Sequence, residues 1–196
     1  MPENTITVAI IGAGPLGRRL ASHAARAGFR VILEDVMPSS LRHAEEALRL
    51  ELSPANMPLV TFAGTVEEAV READLAIDCV PDELESKLEI FSLLDRMAPP
   101  RTIFATPTTN LSIADLARCT YRPGQCVGLA IDATQLSAST EFGSQSGTQP
   151  GPTAQTIPIR ITSATTPATQ SLVRNFWQRL GYTPAVELDA AEALLL

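Results

Sequence analysis

The chain has 196 residues, 22 acidic against 15 basic side chains for a net charge of −7, and 45% apolar residues. That length and apolar content suit one ordinary domain with a real core, and the pI near 4.8 argues against a nucleic-acid surface, which needs a basic stripe for phosphates. The scarcities exclude more: only two histidines, His23 and His43, and one lysine, Lys87, so no histidine beyond position 43 serves as base or metal ligand.

The N-terminal stretch MPENTITVAIIGAG has no basic region before its apolar run, so it does not read as a secretory signal. No 18-residue apolar run marks a membrane span. Cys79, Cys119 and Cys126 are odd in number and lack metal-ligand spacing. They read as free thiols, mostly buried, in a reducing cytoplasm, with no metal site.

Thr5 to Ile11 predicts a buried strand closed by Gly12. From Leu16 the period becomes helical, with Leu20, Ala24 and Ala27 on one face and Gly28 as the stop. A second strand, Arg30 to Leu33, runs into Glu34–Asp35, and a helix follows from Ser40 to Leu52. Leu59 to Ala63 is a third strand, and Thr65 with Glu68 forms a capping box for a short helix. Leu75 to Val80 is a fourth strand, apolar except at Asp78, as suits a strand covered on both faces. A helix over Glu83 to Met97 is stopped by Pro99–Pro100.

Further strands are expected over Thr102 to Ala105 and Cys126 to Ile131, with a helix capped by Ser112 between them. The stretch from Thr134 to Thr156 has one charge and is rich in Ser, Thr, Gln, Gly and Pro. It reads as a mobile loop. Order resumes with a strand at Ile157 to Ile161, a helix from Pro167 to Leu180 and a strand near Thr183 to Val186. The alternation predicts an α/β fold of the Rossmann type: a doubly wound, mainly parallel sheet with helices on both faces. Residues 1–189 would form this domain, with 190–196 as a stub beyond it.

The strongest chemical signal is Gly12-Ala-Gly14-Pro15-Leu16-Gly17, between a predicted strand and a predicted helix. Gly12 permits the tight turn. Gly14 lets the backbone approach a pyrophosphate, and Gly17 lets the helix pack closely on the sheet. The helix N-terminus then offers N–H groups and partial positive charge to the phosphates. Asp35 lies 23 positions after Gly12, where a carboxylate accepts hydrogen bonds from ribose hydroxyls and repels a 2′-phosphate. This favours NAD over NADP, with Glu34 as the adjacent alternative acid. Arg18 and Arg19 read as residues of a solvated helix face.

The stretches VAIIGAGPLG, VILEDV, ADLAIDCVPDELESKLEIFSLLD, PPRTIFATPTTNLSIADLA and TYRPGQCVGL together resemble the NAD-binding domain of the 3-hydroxyacyl-CoA dehydrogenases. The resemblance implies NAD as cofactor, an acyl-CoA or other small-molecule ligand, and a following helical domain that usually dimerises. Without that helical domain, apolar surface near the C-terminal edge, around Leu194 to Leu196, is expected to find a partner, so a homodimer or a partner subunit is expected. It places the glycines and Asp35 at cofactor positions, Asp82 where the family usually has a glutamate near the cofactor, and Lys87 at a cofactor-contacting lysine. Thr109 falls at a serine whose hydroxyl bonds the substrate oxygen.

The pattern then departs. Ala130 and Ala133 stand where the family has its catalytic histidine and an asparagine, and the next strand, Ile157 to Ile161, lacks the glutamate that orients that histidine. Alcohol oxidation by NAD needs a base for the hydroxyl proton, worth roughly 10²–10⁴ in rate. Asp132 is two residues from Ala130, but an exposed aspartate titrates near 4, a poor match (about 3.9 unperturbed). No Tyr-x-x-x-Lys pair replaces the histidine, because Gln125 and Val186 follow Tyr121 and Tyr182 by four. The expectation is an NAD-binding unit without independent hydride transfer. The alternative is an active dehydrogenase that uses Thr109 and a base from elsewhere or from a partner chain.

Overall fold

The computed structural model describes residues 6–132, 134, 136 and 155–190. Its strands are β1 (Thr7–Ile11), β2 (Arg30–Glu34), β3 (Val60–Ala63), β4 (Leu75–Asp78), β5 (Ile103–Pro107), β6 (Cys126–Leu129), β7 (Thr156–Ile161) and β8 (Thr183–Leu188). The helices are α1 (Pro15–Arg26), α2 (Pro38–Glu51), α3 (Val66–Val70), α4 (Leu84–Met97), α5 (Ile113–Arg118) and α6 (Pro167–Arg179).

The strands form one sheet in the order β3-β2-β1-β4-β5-β6-β7-β8, parallel except where β7 meets β6. Strand order reverses between β1 and β4, and α/β sheets place ligand clefts at such a switch point. Alternation along the strands divides the core into two layers. Val8, Ile10, Leu33, Ile77 and Leu129 pack with α1, α2 and α6 on one face, while Ala9, Ile11, Ala76 and Phe104 pack with α3, α4 and α5 on the other. All five β1 residues are buried, as a strand covered on both faces requires.

Thr65 and Ser112 each cap the helix that follows. Thr65 Oγ1 accepts from Glu68 N at 3.3 Å, and Ser112 Oγ from Asp115 N at 3.2 Å. Two strands end earlier than expected. β4 stops at Asp78: Cys79 N makes the last bond to β1, to Ile11 O at 2.7 Å, and Val80 N then turns back onto Asp78 Oδ1 at 3.0 Å. β6 stops at Leu129, where Ile131 N bonds Leu129 O and bends the chain.

The cysteines are free; Cys126 is buried, whereas Cys79 and Cys119 are half-buried. His43 is exposed, but His23 is half-buried and its Nδ1 lies 3.2 Å from the Tyr182 hydroxyl. Among the described residues no helix is long and apolar enough to cross a membrane, and no cluster of potential metal ligands occurs. Residues 191–196 of the expected stub, and most of the expected loop at 134–156, lie outside the described residues. Of that loop, Leu136 is buried in the first core layer and Thr156 opens β7.

Candidate functional site

The glycine loop joins β1 to α1 as the spacing requires. Gly12 has φ +106°, a left-handed conformation that favours glycine, and its N–H donates to Glu34 O at 2.8 Å. A Cβ on Gly17 would lie 1.9 Å from Gly12 O, so this contact of helix and turn exists only without a side chain. A Cβ on Gly14 would meet nothing within 4 Å, which leaves the loop's outer surface open to a ligand. α1 begins with Pro15 at its first position, no side-chain cap and no acid in its first turn. Its N-terminal N–H groups and dipole are thus open to an anion. The cradle fits a pyrophosphate.

Asp35 stands beside this loop. Its Oδ2 accepts from Ala13 N and its Oδ1 from Met37 N, both at 2.9 Å. Each oxygen keeps lone-pair capacity for a ribose hydroxyl. Glu34, the alternative acid, points elsewhere: it is 2% exposed and its Oε1 has no partner among the described residues. Burial first, and the Asp35 charge second, push its pKa up to about 7. Arg18 is half-buried and Arg19 exposed.

Across the sheet-order switch lies a cleft of about 190 Å³, lined by Leu16, Val80, Asp82, Pro107, Thr108, Thr109, Ile131 and Asp132. It brings Leu16 of the glycine loop together with Asp82 and Thr109. Thr109 N donates to Asp82 Oδ2 at 3.3 Å, and the Thr109 side chain is exposed. The loop under Thr109 is well held: Thr108 N bonds Leu129 O at 3.0 Å, and the Arg160 guanidinium donates to Thr108 O and Leu111 O. Asp189 accepts from Ser112 Oγ, Ile113 N and Ala114 N at 3.0, 2.8 and 3.2 Å, fixing the start of α5.

Lys87 is not a solvated helix residue, nor does its ammonium reach the cleft surface. It is 0% exposed, and Nζ donates to Asp78 Oδ2 at 3.2 Å, Val80 O at 3.4 Å and Thr106 Oγ1 at 2.9 Å. Three N–H donors meet three acceptors, so the ammonium is fully used. Asp78 Oδ1 also accepts from Val80 N at 3.0 Å, and Thr106 Oγ1 donates to Asp78 Oδ2 at 3.0 Å. Burial raises Asp78 above the usual carboxylate range, with Lys87 working against it. The network ties the turn after β4, which carries Val80 and Asp82, to β5.

Sequence reasoning missed this network, Arg160 and Asp189. Asp78 was the available signal: an acid inside an apolar strand needs a buried partner, and the chain has one lysine. Ala130 is half-buried at the end of β6, its N–H on Pro158 O at 3.1 Å. The neighbouring strand presents Arg160 opposite Gly128 and no acid. Asp132 is exposed, with Oδ1 engaged by Thr134 N at 2.7 Å and Thr134 Oγ1 at 2.6 Å. Ala133 lies outside the described residues.

The family model "3-hydroxyacyl-CoA dehydrogenase, NAD binding domain" matches residues 7–130. A probable 3-hydroxybutyryl-CoA dehydrogenase of Bacillus subtilis is 33% identical over 135 residues, covering 62% of this chain and 47% of the relative. An L-carnitine dehydrogenase of Streptomyces coelicolor is 30% identical over 135 residues, covering 64% and 42%. The chain thus spans somewhat under half the length of these relatives. The fold matches that of an (S)-3-hydroxybutyryl-CoA dehydrogenase from Ralstonia eutropha with a TM-score of 0.78 at 18% identity, covering 95% of this chain and 65% of that one.

Proposed function

This chain belongs to the 3-hydroxyacyl-CoA dehydrogenase family through its NAD-binding domain, and from that membership we propose that it binds NAD(H) in the cleft at the switch point without carrying out independent hydride transfer. The carrying observation is the pair formed by the glycine loop and Asp35: an open cradle at Gly14 with an anchored carboxylate beside it.

NAD, when bound, supplies a hydride acceptor or donor. The chain's residues bind and orient it. Gly12, Gly14, Pro15, Leu16 and Gly17 hold the pyrophosphate against the start of α1, and Asp35 takes the adenosine ribose hydroxyls. Asp82 and Thr109 border the far side of the cleft, and the family relationship makes the exposed Thr109 hydroxyl the group that would hydrogen-bond a substrate oxygen. Lys87 holds the floor rather than the ligand. Hydride transfer also needs a proton acceptor within hydrogen-bond reach of the substrate hydroxyl. Ala130 has no such group, and Asp132 is engaged by Thr134.

The reading extends to an acyl-CoA as second ligand, a second protomer or partner subunit, and a cytoplasmic setting; these rest on the family relationship and the free thiols. The test is NADH consumption with a 3-ketoacyl-CoA at high protein concentration. No turnover above background is expected. Turnover at a rate typical of dehydrogenases, about 1–10³ s⁻¹, would overturn the proposal and point to a base supplied from elsewhere.

A further inference from the structure

Thr109 sits in a short loop that two distant residues hold. The Arg160 guanidinium of β7 donates to Thr108 O and, at 3.3 Å, to Leu111 O, the residues on either side of Thr109 and Asn110. Asp189 follows β8, and its N–H bonds Ile161 O at 2.7 Å, next to Arg160 in β7. Its Oδ2 alone accepts from Ser112 Oγ, Ile113 N and Ala114 N. Its Oδ1 faces Arg160 Nη1 at 3.8 Å. Arg160 and Asp189 thus hold the two ends of one loop and each other. Within the loop, Thr108 Oγ1 accepts from Asn110 N and Leu111 N at 3.3 and 3.0 Å, and Thr109 and Asn110 are exposed.

The packing makes room for this brace. A Cβ on Gly128, the register partner of Arg160, would lie 2.4 Å from Ile113 Cδ1 and 3.3 Å from Arg160 Cβ. The missing side chain lets α5 and Arg160 both close on β6. The Arg160 and Asp189 side chains are only 11% and 1% exposed, and Arg160 Nε has no partner among the described residues. A buried ion pair carries a desolvation penalty and often stabilises no more than apolar residues of the same volume. Stability alone is therefore a poor account of the pair. What the pair fixes is a wall of the cleft, because Thr108 and Thr109 line it together with Leu16 of the glycine loop.

We propose that Arg160 and Asp189 are positioning residues for the nicotinamide half of the dinucleotide: they hold the Thr109 loop in the place that half requires, although neither lines the cleft. The inference rests on the reading of the cleft as the NAD(H) site. With the pyrophosphate on the glycine loop and the adenosine ribose at Asp35, the nicotinamide and its ribose fall to the side bordered by Asp82 and Thr109. Thr109 N is engaged by Asp82 Oδ2 at 3.3 Å, so this wall presents the Thr109 hydroxyl. Without the brace, β5 and α5 still anchor the loop ends, but Thr109 between them is free to move. Binding must then order the loop, and that cost is subtracted from affinity. It falls on ligands that reach this wall and spares those that stop at the pyrophosphate and its riboses.

The experiment compares NADH and ADP-ribose dissociation constants for the full chain, Arg160→Met and Asp189→Asn. ADP-ribose carries the adenosine and pyrophosphate of NADH but no nicotinamide. Met keeps an apolar stem at position 160 without the donors. Asn still accepts from α5 through its one oxygen but sets no charge against Arg160. Wild type is expected to bind NADH more tightly than ADP-ribose. In each variant NADH affinity is expected to fall about three- to thirtyfold while ADP-ribose affinity stays within about twofold, the scale of mutations that modulate a site without touching its ligand. Arg160→Lys, which keeps the charge but not the planar fork, is expected to fall between. It carries the test if Arg160→Met does not fold by circular dichroism. A purely structural pair would lower both affinities together, or only the melting temperature. Either result, or a wild type that binds both ligands equally, would overturn the inference while leaving the cofactor cradle intact. A folded wild type that binds neither ligand would overturn the cofactor reading as well.

Discussion

Lys87 Nζ lies 3.2 Å from Asp78 Oδ2, and both side chains are fully buried. The pair sits between β4, α4 and, through Thr106, β5, and it fixes the turn that borders the cleft. Removing one partner of such a pair strands the other charge.

Lys87→Met is therefore expected to destabilise the fold by about 3–5 kcal/mol, read by urea denaturation. The double variant Lys87→Met, Asp78→Leu is expected to recover much of that loss, because no unpaired charge remains. A single variant as stable as the wild type would show that the ammonium is not the partner the structure assigns.

Gly14 and Gly17 separate binding from folding. Gly14→Ala adds a methyl group that meets nothing in the protein, so the melting temperature is expected to stay within a few degrees of wild type. NADH affinity is expected to fall at least about tenfold, since the pyrophosphate needs close backbone approach there. Gly17→Ala drives a Cβ onto Gly12 O and is expected to lower the melting temperature itself. Fluorescence titration with NADH and a thermal melt on each variant check both expectations.

Glu34 gives stability a pH dependence of definite sign. Burial raises its folded pKa from the ordinary glutamate value of 4.5 to about 7, so the folded state holds the proton longer. Stability is expected to fall as pH rises from about 4.5 through about 7 and then to level off, with a total loss on the order of 3 kcal/mol. Glu34→Gln removes this loss. It is expected to match wild type at about pH 4 and to exceed it at about pH 8 in parallel denaturation curves, outside the window where Glu34 titrates. Identical curves at both pH values would show that Glu34 titrates normally.

The sheet and its cofactor loop were legible because their signals are local. β1 is apolar throughout, Gly12 must adopt a positive φ, and Thr65 and Ser112 cap the helices that follow them. The pairing of Asp82 with Thr109, 27 residues apart, was reachable only through the family resemblance, which placed each residue separately. What stayed hidden depends on long-range contact. The role of Lys87 changes when Asp78 and Thr106 arrive from two strands, and Asp189 reaches α5 across 77 residues from Ser112. Periodicity reports which face a residue occupies, not which distant polar group meets it there. Glu34 shows the same limit: from sequence it is one of two adjacent acids, and only the fold separates a buried carboxyl from one that holds the loop.

The measurement closest to the central claim is a calorimetric titration of the wild-type chain with NADH. Saturable binding at one site per chain is expected, with a dissociation constant in the micromolar range, about −8 kcal/mol, and a clear loss of heat for Gly14→Ala. No binding up to millimolar NADH, under conditions where the chain is folded by circular dichroism, would contradict the account.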